Sequence, residues 1–405
     1  MRPFEGLRVL DLTHVFAGPF CAYQLGVLGA KVIKIEPVDR PDMTRADGAD
    51  AELNAAGMGL SFQAQGGGKR ALALDLKSDA GRAIFDRLLA TADVVVQNYT
   101  AHAVEELGLG YDRLAALKPD LIYCAISGFG ATGPKAAHPA YDVVIQAYAG
   151  VMAANGEAGS DPVRVGPAMV DYGTGAQAAL AISAALYGRA LTGQGRRIDV
   201  AMADCALMLM NSHTATTLAT GVAPRPHGNR DPSLAGYATY ETAEGTLMIG
   251  AHTNAQMANL MRAVGEDAVA DELAATPRAE IAGRREGDAA LLAGVLRGKT
   301  AAEWEEILNT HHVPAARVRG LSEALDEPQF GARNVVQQVG QDRFAVAGFT
   351  YDRGTPSLDS APRAHGADSR AVLEELGIDA ATFNDLAARG VVFSPSCARF
   401  PRTRP

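Results

Sequence analysis

Cysteine is scarce in this chain. Four residues among 405, at positions 21, 124, 205 and 397, lie too far apart for any C-x-x-C pairing. They read as reduced thiols of a cytoplasmic protein, with no disulfide frame and no metal site. Aromatic residues make up only 6% of the chain, against 43 glycines and abundant alanine. That balance favours closely packed helices and strands rather than disorder. Excess positive charge is also missing: the net charge is −9, and no basic patch precedes the tail, which argues against a nucleic-acid partner. No apolar run reaches the roughly 20 residues of a membrane span, and the opening MRPFE is not a signal peptide. Two phosphate-binding fingerprints are absent as well. The turn after the first strand lacks G-x-G-x-x-G, and Lys69 after the Gly66–Gly68 run is followed by Arg70, where a P-loop needs Ser or Thr. Internal repeats and low-complexity tracts are lacking.

What remains is enough chain for two or three domains, with a pattern that changes midway. Residues 7–12 and 31–36 read as strands flanking a Gly/Pro-marked turn and a helix, a βαβ unit. Residues 37–70 look irregular. Strands are expected at 71–76, 93–99 and 121–126, with a helix at 78–90 capped by Ser78. Asn98 and Tyr99 close the 93–99 strand, where functional side chains of open α/β sheets gather. Helices are expected at 141–154 and 198–220. The alternation implies an α/β fold with a mostly parallel sheet. Past residue 220 the character shifts to a hairpin at 237–251, charged helices to 311, short strands at 335–347 and helices near 368–377 and 380–389. This is a smaller α+β domain followed by a return.

Residues 162–189, PVRVGPAMVDYGTGAQAALAISAALYGR, are the most informative stretch. They read as an extended lead-in, one acid (Asp171), a Gly-Thr-Gly turn and a helix of small residues. Asp171 has two available uses. It can cap the helix. It can also be a reactive carboxylate beside unpaired N–H groups, approached by a ligand because Gly173 and Gly175 carry no Cβ.

Nine ordered blocks carry more than composition does: GLRVLDLTHVFAGP (6–19), LGAKVIKIEP (28–37), DMTR (42–45), KR (69–70), VQNY (96–99), SGFG (127–130), AYD (140–142), VDYGTG (170–175) and GQGRRIDVAM (193–202). With them the chain resembles the class III (CaiB/BaiF-type) coenzyme A transferases over nearly its whole length. The resemblance implies a Rossmann-like large domain made from both chain ends, a smaller α+β domain, and an interlocked, ring-like homodimer. The expected boundaries are 1–220 for the large CoA-binding and catalytic part, 221–325 for the small domain and linkers, 326–392 for the return, and 393–405 for a flexible tail. Asp171 is then the covalent nucleophile, passing through an anhydride and an aspartyl-CoA thioester.

Coenzyme A or acyl-CoA enters as substrate, with no metal. By the same resemblance CoA meets Val15, Phe16, Ala17, Leu74, Lys77, Asn98, Tyr99 and Met202. Lys77 faces a phosphate or is simply solvated, and Arg40 or Arg45 assists. Tyr141 and Asp142 shape the acyl pocket, N–H groups beside Gly173 and Gly175 steady an oxyanion, and His14 is structural. Phe16 stands where the formyl/oxalyl branch has Gln, Pro37 and Glu106 stand where it has Arg, and its polyglycine loop is missing near 228–245. These departures count against formyl-CoA and oxalate. Small dicarboxylates of the succinate, malate, citramalate, mesaconate and itaconate type are the expected acids, with Arg164, Arg225, His227 or Arg230 for a distal carboxylate. Two rivals stand beside this reading. An α-methylacyl-CoA racemase would need a Gly-His-Asp triplet where this chain has Ala140-Tyr141-Asp142, with His138 the nearest substitute. The other is an acyl-CoA-binding protein without turnover.

Overall fold

The structure, a computed structural model, describes residues 1–395. The apolar segments of the first half become six parallel strands: β1 (Arg8–Leu12), β2 (Lys31–Glu36), β3 (Lys69–Leu74), β4 (Val94–Gln97), β5 (Ile122–Ser127) and β6 (Arg196–Ala201). Their order is β3-β2-β1-β4-β5-β6, and a short antiparallel strand, Val392–Phe393, closes the β3 edge with Phe393 opposite Ala73. This is the order of a doubly wound sheet, with its switch point between β1 and β4, where ligand crevices form. The strand sequences are near-continuous apolar runs because both faces are covered. Leu10, Leu12, Leu72 and Val95 pack on one face with Ile84 and Phe85, while Val9, Val32, Val94 and Val96 pack on the other with Cys21, Leu25 and Ile182. Alternation with period two separates the two sets.

Five helices position the functional residues: α1 (Ala17–Val27), α2 (Asp79–Leu89), α3 (Asp142–Tyr148), α4 (Met169–Thr192) and α5 (Met202–Leu209). Ser78 caps α2 by accepting the Gly81 N–H at 3.1 Å. The 24-residue α4 ends at Gly193, whose left-handed conformation (φ 71°) a Cβ would oppose. Helices α1 and α4 cross in close contact because both are built of small residues. A Cβ on Gly175 would lie 2.5 Å from the Ala17 carbonyl oxygen and 3.0 Å from the Phe20 ring.

The sheet also buries charge. Lys69 Nζ reaches Asp11 at 2.8 Å, Lys34 Nζ reaches Asp42 at 3.1 Å, and Arg45 clasps Glu36 through Nε (2.8 Å) and Nη2 (2.7 Å). The Arg45 guanidinium also lies 3.7 Å over the Phe62 ring. Burial alone would raise the Asp11 carboxyl, but the Lys69 and Lys34 charges outweigh it and hold it low. Burial and the neighbouring Lys34 lower Lys69 in turn, although Asp11 pulls the other way. Breaking such a pair from one side leaves an uncompensated interior charge.

The chain divides into two units. One gathers Met1–Val151, Arg164–Val222 and the chain from Gln329 onward, and the other gathers Met152–Val163 and Ala223–Pro328. The second is an antiparallel three-stranded sheet (Tyr237–Glu241, Thr246–Gly250, Ala315–Arg317) with helices whose core includes Met257, Leu292 and Trp304. Trp304 donates its indole N–H to the Leu296 carbonyl at 2.8 Å. Among the described residues no helix is long and apolar enough to cross a membrane.

Four local expectations are corrected. Residues 198–220 are not one helix: Ile198 belongs to β6, opposite Cys124, because alternating RRIDVA pairs with β5, and the helix starts only at Met202 and breaks at Met210. The Gly-Thr-Gly segment is not a turn but lies inside α4. The 37–70 stretch carries short helices at Ala51–Ala55 and Leu60–Gly66. Ordered structure also reaches past 393, the expected start of the tail, since Phe393 is a strand residue and Ser394 is buried. Cys397 and the remaining tail lie outside the described residues.

Two glycines of α4 offer a matched test. Gly175→Ala forces its methyl against α1 and lowers stability by about 1–3 kcal/mol. Gly188→Ala meets nothing within 4 Å and raises stability by up to ~1 kcal/mol. Urea unfolding of the two variants measures both signs.

Candidate active site

The loops leaving β1 and β4 meet at the switch point. The His14 N–H donates to Asn98 Oδ1 at 2.9 Å, the Asn98 amide returns a bond to the His14 carbonyl at 2.8 Å, and His14 Nε2 lies 3.1 Å from the Tyr99 hydroxyl. Burial, aided by the Lys34 charge, lowers the His14 imidazole and keeps it neutral. Burial pushes the Tyr99 phenol up to about 12. Both groups are satisfied and uncharged, as a structural histidine requires.

Two cavities open around this junction. One, of about 890 Å³, is lined by His14, Val15, Asn98, Tyr99, His138 and Tyr141 among others. The second, of about 510 Å³, is lined by Arg40, Leu74, Lys77, Tyr99 and Glu106. Tyr99 borders both. Lys77 is exposed, 3.9 Å from Glu106. Arg45 contributes to neither cavity: its guanidinium is committed to Glu36, which removes it as a phosphate contact. Phe16 stacks obliquely on Tyr172, with centroids 6.0 Å apart. Ala17 is buried under the α1–α4 crossing, and Met202 is buried with Ile145, Val170 and Ala206.

Asp171 occupies the first turn of α4 without capping it. The Met169 N–H donates to the Pro167 carbonyl at 2.8 Å, and the Tyr172 N–H donates to the Ala168 carbonyl at 3.0 Å. The Val170 and Asp171 N–H groups both donate to Asp142 Oδ2, at 2.8 and 3.0 Å. Asp142 is therefore the cap, supplied from α3. Its other oxygen receives the Gln146 side-chain amide, whose carbonyl accepts the Val165 N–H at 2.8 Å. Among the described residues nothing donates to the Asp171 carboxylate, although the residue is only 7% exposed. Burial pushes that carboxyl up to about 7, and the adjacent Asp142 charge acts in the same direction.

In this arrangement Asp171 is not the helix cap. A capping carboxylate would accept N–H groups, and here Asp142 takes them. It also corrects three other expectations. Asp142 is a buried helix anchor rather than open pocket wall, while Tyr141, 58% exposed, does line the larger cavity. Gly173 and Gly175 cannot be oxyanion donors, because their N–H groups fall past the first turn, inside α4. The space beside them holds protein: a Cβ on Gly173 would strike Leu209 at 2.6 Å, and one on Gly175 would strike α1. Arg164 belongs to the first unit, and Arg225, His227 and Arg230 to the second; all four are exposed. Residues unmarked by sequence reasoning are Gln146, which fixes the cap, and Gln65, Lys34 and Asp42 around Val15. Of these, Lys34 and Asp42 carried a signal, within the LGAKVIKIEP and DMTR blocks. Among the described residues no three His, Cys, Asp or Glu side chains are grouped to hold a metal ion.

The sequence model described as CoA-transferase family III matches residues 4–368. A succinate–glutarate CoA-transferase of Agrobacterium fabrum is 33% identical over 390 residues, covering 92% of this chain and 96% of its own. An acetyl-CoA:oxalate CoA-transferase of Acetobacter aceti is 37% identical over 343 residues, covering 84% and 86%. Among solved structures, a CaiB/BaiF family protein from Brucella suis is similar with a TM-score of 0.81 at 32% identity, covering 93% of this chain and 99% of that one.

The raised Asp171 carboxyl has a stability consequence. The folded state binds this proton more tightly than the unfolded chain does. Stability from this group is therefore present at about pH 4 and is lost as pH rises through about 7. Asp171→Asn removes the dependence. Near pH 8 the variant is expected to be more stable than the wild type by an amount on the order of a few kcal/mol, and the advantage vanishes at about pH 4. Thermal unfolding at the two pH values measures the difference.

Proposed function

The chain belongs to CoA-transferase family III, and on that premise we propose that it moves CoA from an acyl-CoA donor to a small dicarboxylic acid with Asp171 as covalent carrier. An Asp171 oxygen attacks the donor thioester carbonyl. The C–S bond breaks, CoA leaves as thiolate, and a mixed anhydride remains. The thiolate then attacks the Asp171 carbonyl and expels the donor acid, leaving an aspartyl-CoA thioester. The acceptor carboxylate attacks that carbonyl and frees the thiolate a second time. Thiolate attack on the acceptor side of the new anhydride yields the product thioester and restores Asp171. Each difficult acyl transfer is thereby divided into easier ones.

One observation carries this reading: a buried carboxylate in the first turn of a long helix, with no hydrogen-bond donor among the described residues, whose capping work is done by another residue. Its raised pKa sits close to neutral pH, so the ionised nucleophile is present in quantity yet poorly solvated. The cavity walls at Val15, Asn98 and Tyr99, and at Leu74 and Lys77, offer the pantetheine and phosphate portions of CoA a path past Tyr99. The names of the two relatives pair succinate with glutarate and acetyl-CoA with oxalate, which supports dicarboxylates as the acids. Oxalate stays within that class despite Phe16.

A homodimer completes the proposal. Leu180, Tyr187 and Leu191 form an exposed apolar stripe on α4, and Leu207, Met208 and Leu209 are exposed on α5. A second copy of the chain is the natural cover for such surface. Three buried free thiols fit a reducing, cytoplasmic setting.

Asp171→Ala is expected to abolish transfer from succinyl-CoA to glutarate while leaving CoA binding intact, and hydroxylamine is expected to displace CoA from the aspartyl thioester and leave a hydroxamate at Asp171 of the wild type alone. Transfer by the alanine variant would end the claim. Rapid solvent deuterium incorporation at the α-carbon of a 2-methylacyl-CoA would instead favour the racemase reading, with His138 in the cavity as the second acid–base group. Sedimentation velocity is expected to give twice the chain mass; a monomer at micromolar concentration would refute the dimer.

A further inference from the structure

We propose that Gln65 and Asp42 are positioning residues for the loop that receives acyl-CoA, holding Val15 in a backbone conformation it does not adopt unaided. The proposal rests on the assignment of residues 15–17 to CoA.

Val15 has φ +71°. For a β-branched residue this left-handed conformation is a true outlier, and such strain persists only where surrounding structure over-determines it. The over-determination here is complete. All six backbone polar groups of residues 13–15 are bonded to side chains. The Thr13 N–H donates to Asp11 at 3.0 Å, and its carbonyl accepts from Lys34 at 2.7 Å. Asn98 takes both groups of His14. The Val15 N–H donates to Asp42 Oδ1 at 3.2 Å, and the Val15 carbonyl accepts the Gln65 amide at 2.5 Å.

The two anchors of Val15 are themselves fixed. Asp42 is held by Lys34 (3.1 Å) and by the Thr44 hydroxyl (2.8 Å). Gln65 is 2% exposed, and its own carbonyl oxygen is buried without a partner among the described residues. An orphaned interior oxygen is a cost that a Leu or Met of similar size would not carry. The bond to Val15 is what the amide supplies in return. Neither Gln65 nor Asp42 lines either cavity, whereas Val15 lines the larger one. They therefore act on a ligand only through the peptide they hold. When the Gln65 bond is cut, Val15 relaxes toward negative φ, and the Val15–Phe16 peptide rotates away from the geometry that receives the thioester.

Glycine adopts φ +71° without strain, so the test is a double-mutant cycle on the full-length protein. Coenzyme A affinity is measured by calorimetry for wild type, Gln65→Leu, Val15→Gly and the double variant. Exchange of the Phe16 amide is followed by mass spectrometry, with thermal melting as the folding control. Gln65→Leu is expected to weaken CoA binding about tenfold and speed exchange in the Val15 background, the size of shift that strain of this kind produces. In the Val15→Gly background the same substitution is expected to change affinity by less than about twofold, the coupling a cycle isolates. Equal penalties in both backgrounds, or no penalty in either, overturn the proposal. Should Gln65→Leu fail to fold, Gln65→Met serves the same cycle, because it keeps the length and removes the donor. Affinity is read without turnover, so a failure here is distinct from a failure of Asp171 as carrier, which the hydroxylamine experiment reports.

Discussion

Six buried charges beneath the first loop are the constraint on which the rest of the site depends. Asp11, Glu36 and Asp42 face Lys34, Arg45 and Lys69, equal in number and each within bonding distance of an opposite. Asp11, Lys34 and Glu36 come from β1 and β2, Asp42 and Arg45 from the segment after β2, and Lys69 from the start of β3; a purely apolar core there would leave the loop carbonyls and N–H groups without partners. Ion pairs in such a place contribute little net stability against apolar substitutes, and their value lies in specifying one arrangement. Here the arrangement specified is that of residues 13–15. Lys34 serves both the Thr13 carbonyl and Asp42, so the pairs and the loop form one connected network.

The second organising feature is the division of labour between two aspartates. Asp142 commits its carboxylate to the first turn of α4, and Asp171 is thereby left with nothing to hold. A cap taken from another helix frees the residue that local sequence would otherwise use. It also brings a negative charge close enough to disfavour ionisation of its neighbour. Gln146 sets the orientation of Asp142 through its bond to Val165. A chain of three side chains thus connects the 165–171 lead-in to the surroundings of the Asp171 carboxylate.

The doubly wound sheet could be read from residue order because its strands are short apolar runs separated by helix-length, capped segments. The hairpin at 237–250 and the Ser78 cap were visible for the same reason: both are set by neighbours in sequence. Asp171 could be found but not ruled out as the cap, since a cap and a free carboxylate share one local pattern, and the bonds that fill the capping role come from Asp142, 29 positions away. The glycines of α4 misled because a Gly-Thr-Gly triplet has turn propensity. Tertiary packing against Leu209 and α1 needs that triplet inside a helix, and packing outweighs propensity. Gln65 gave no signal at all, because an isolated glutamine in a Gly-rich stretch is indistinguishable from a solvated one until the partner 50 residues earlier is brought beside it.

Cys21, Cys124 and Cys205 are buried, and burial raises each thiol above its ordinary range, Cys124 to about 12. Sulfur exchange needs an exposed thiolate. A member of a CoA-transferase family, whose substrates carry a thiol, therefore presents, among the described residues, no exposed thiol of its own. Among the described residues, oxidised CoA meets no exposed thiol with which to form a mixed disulfide.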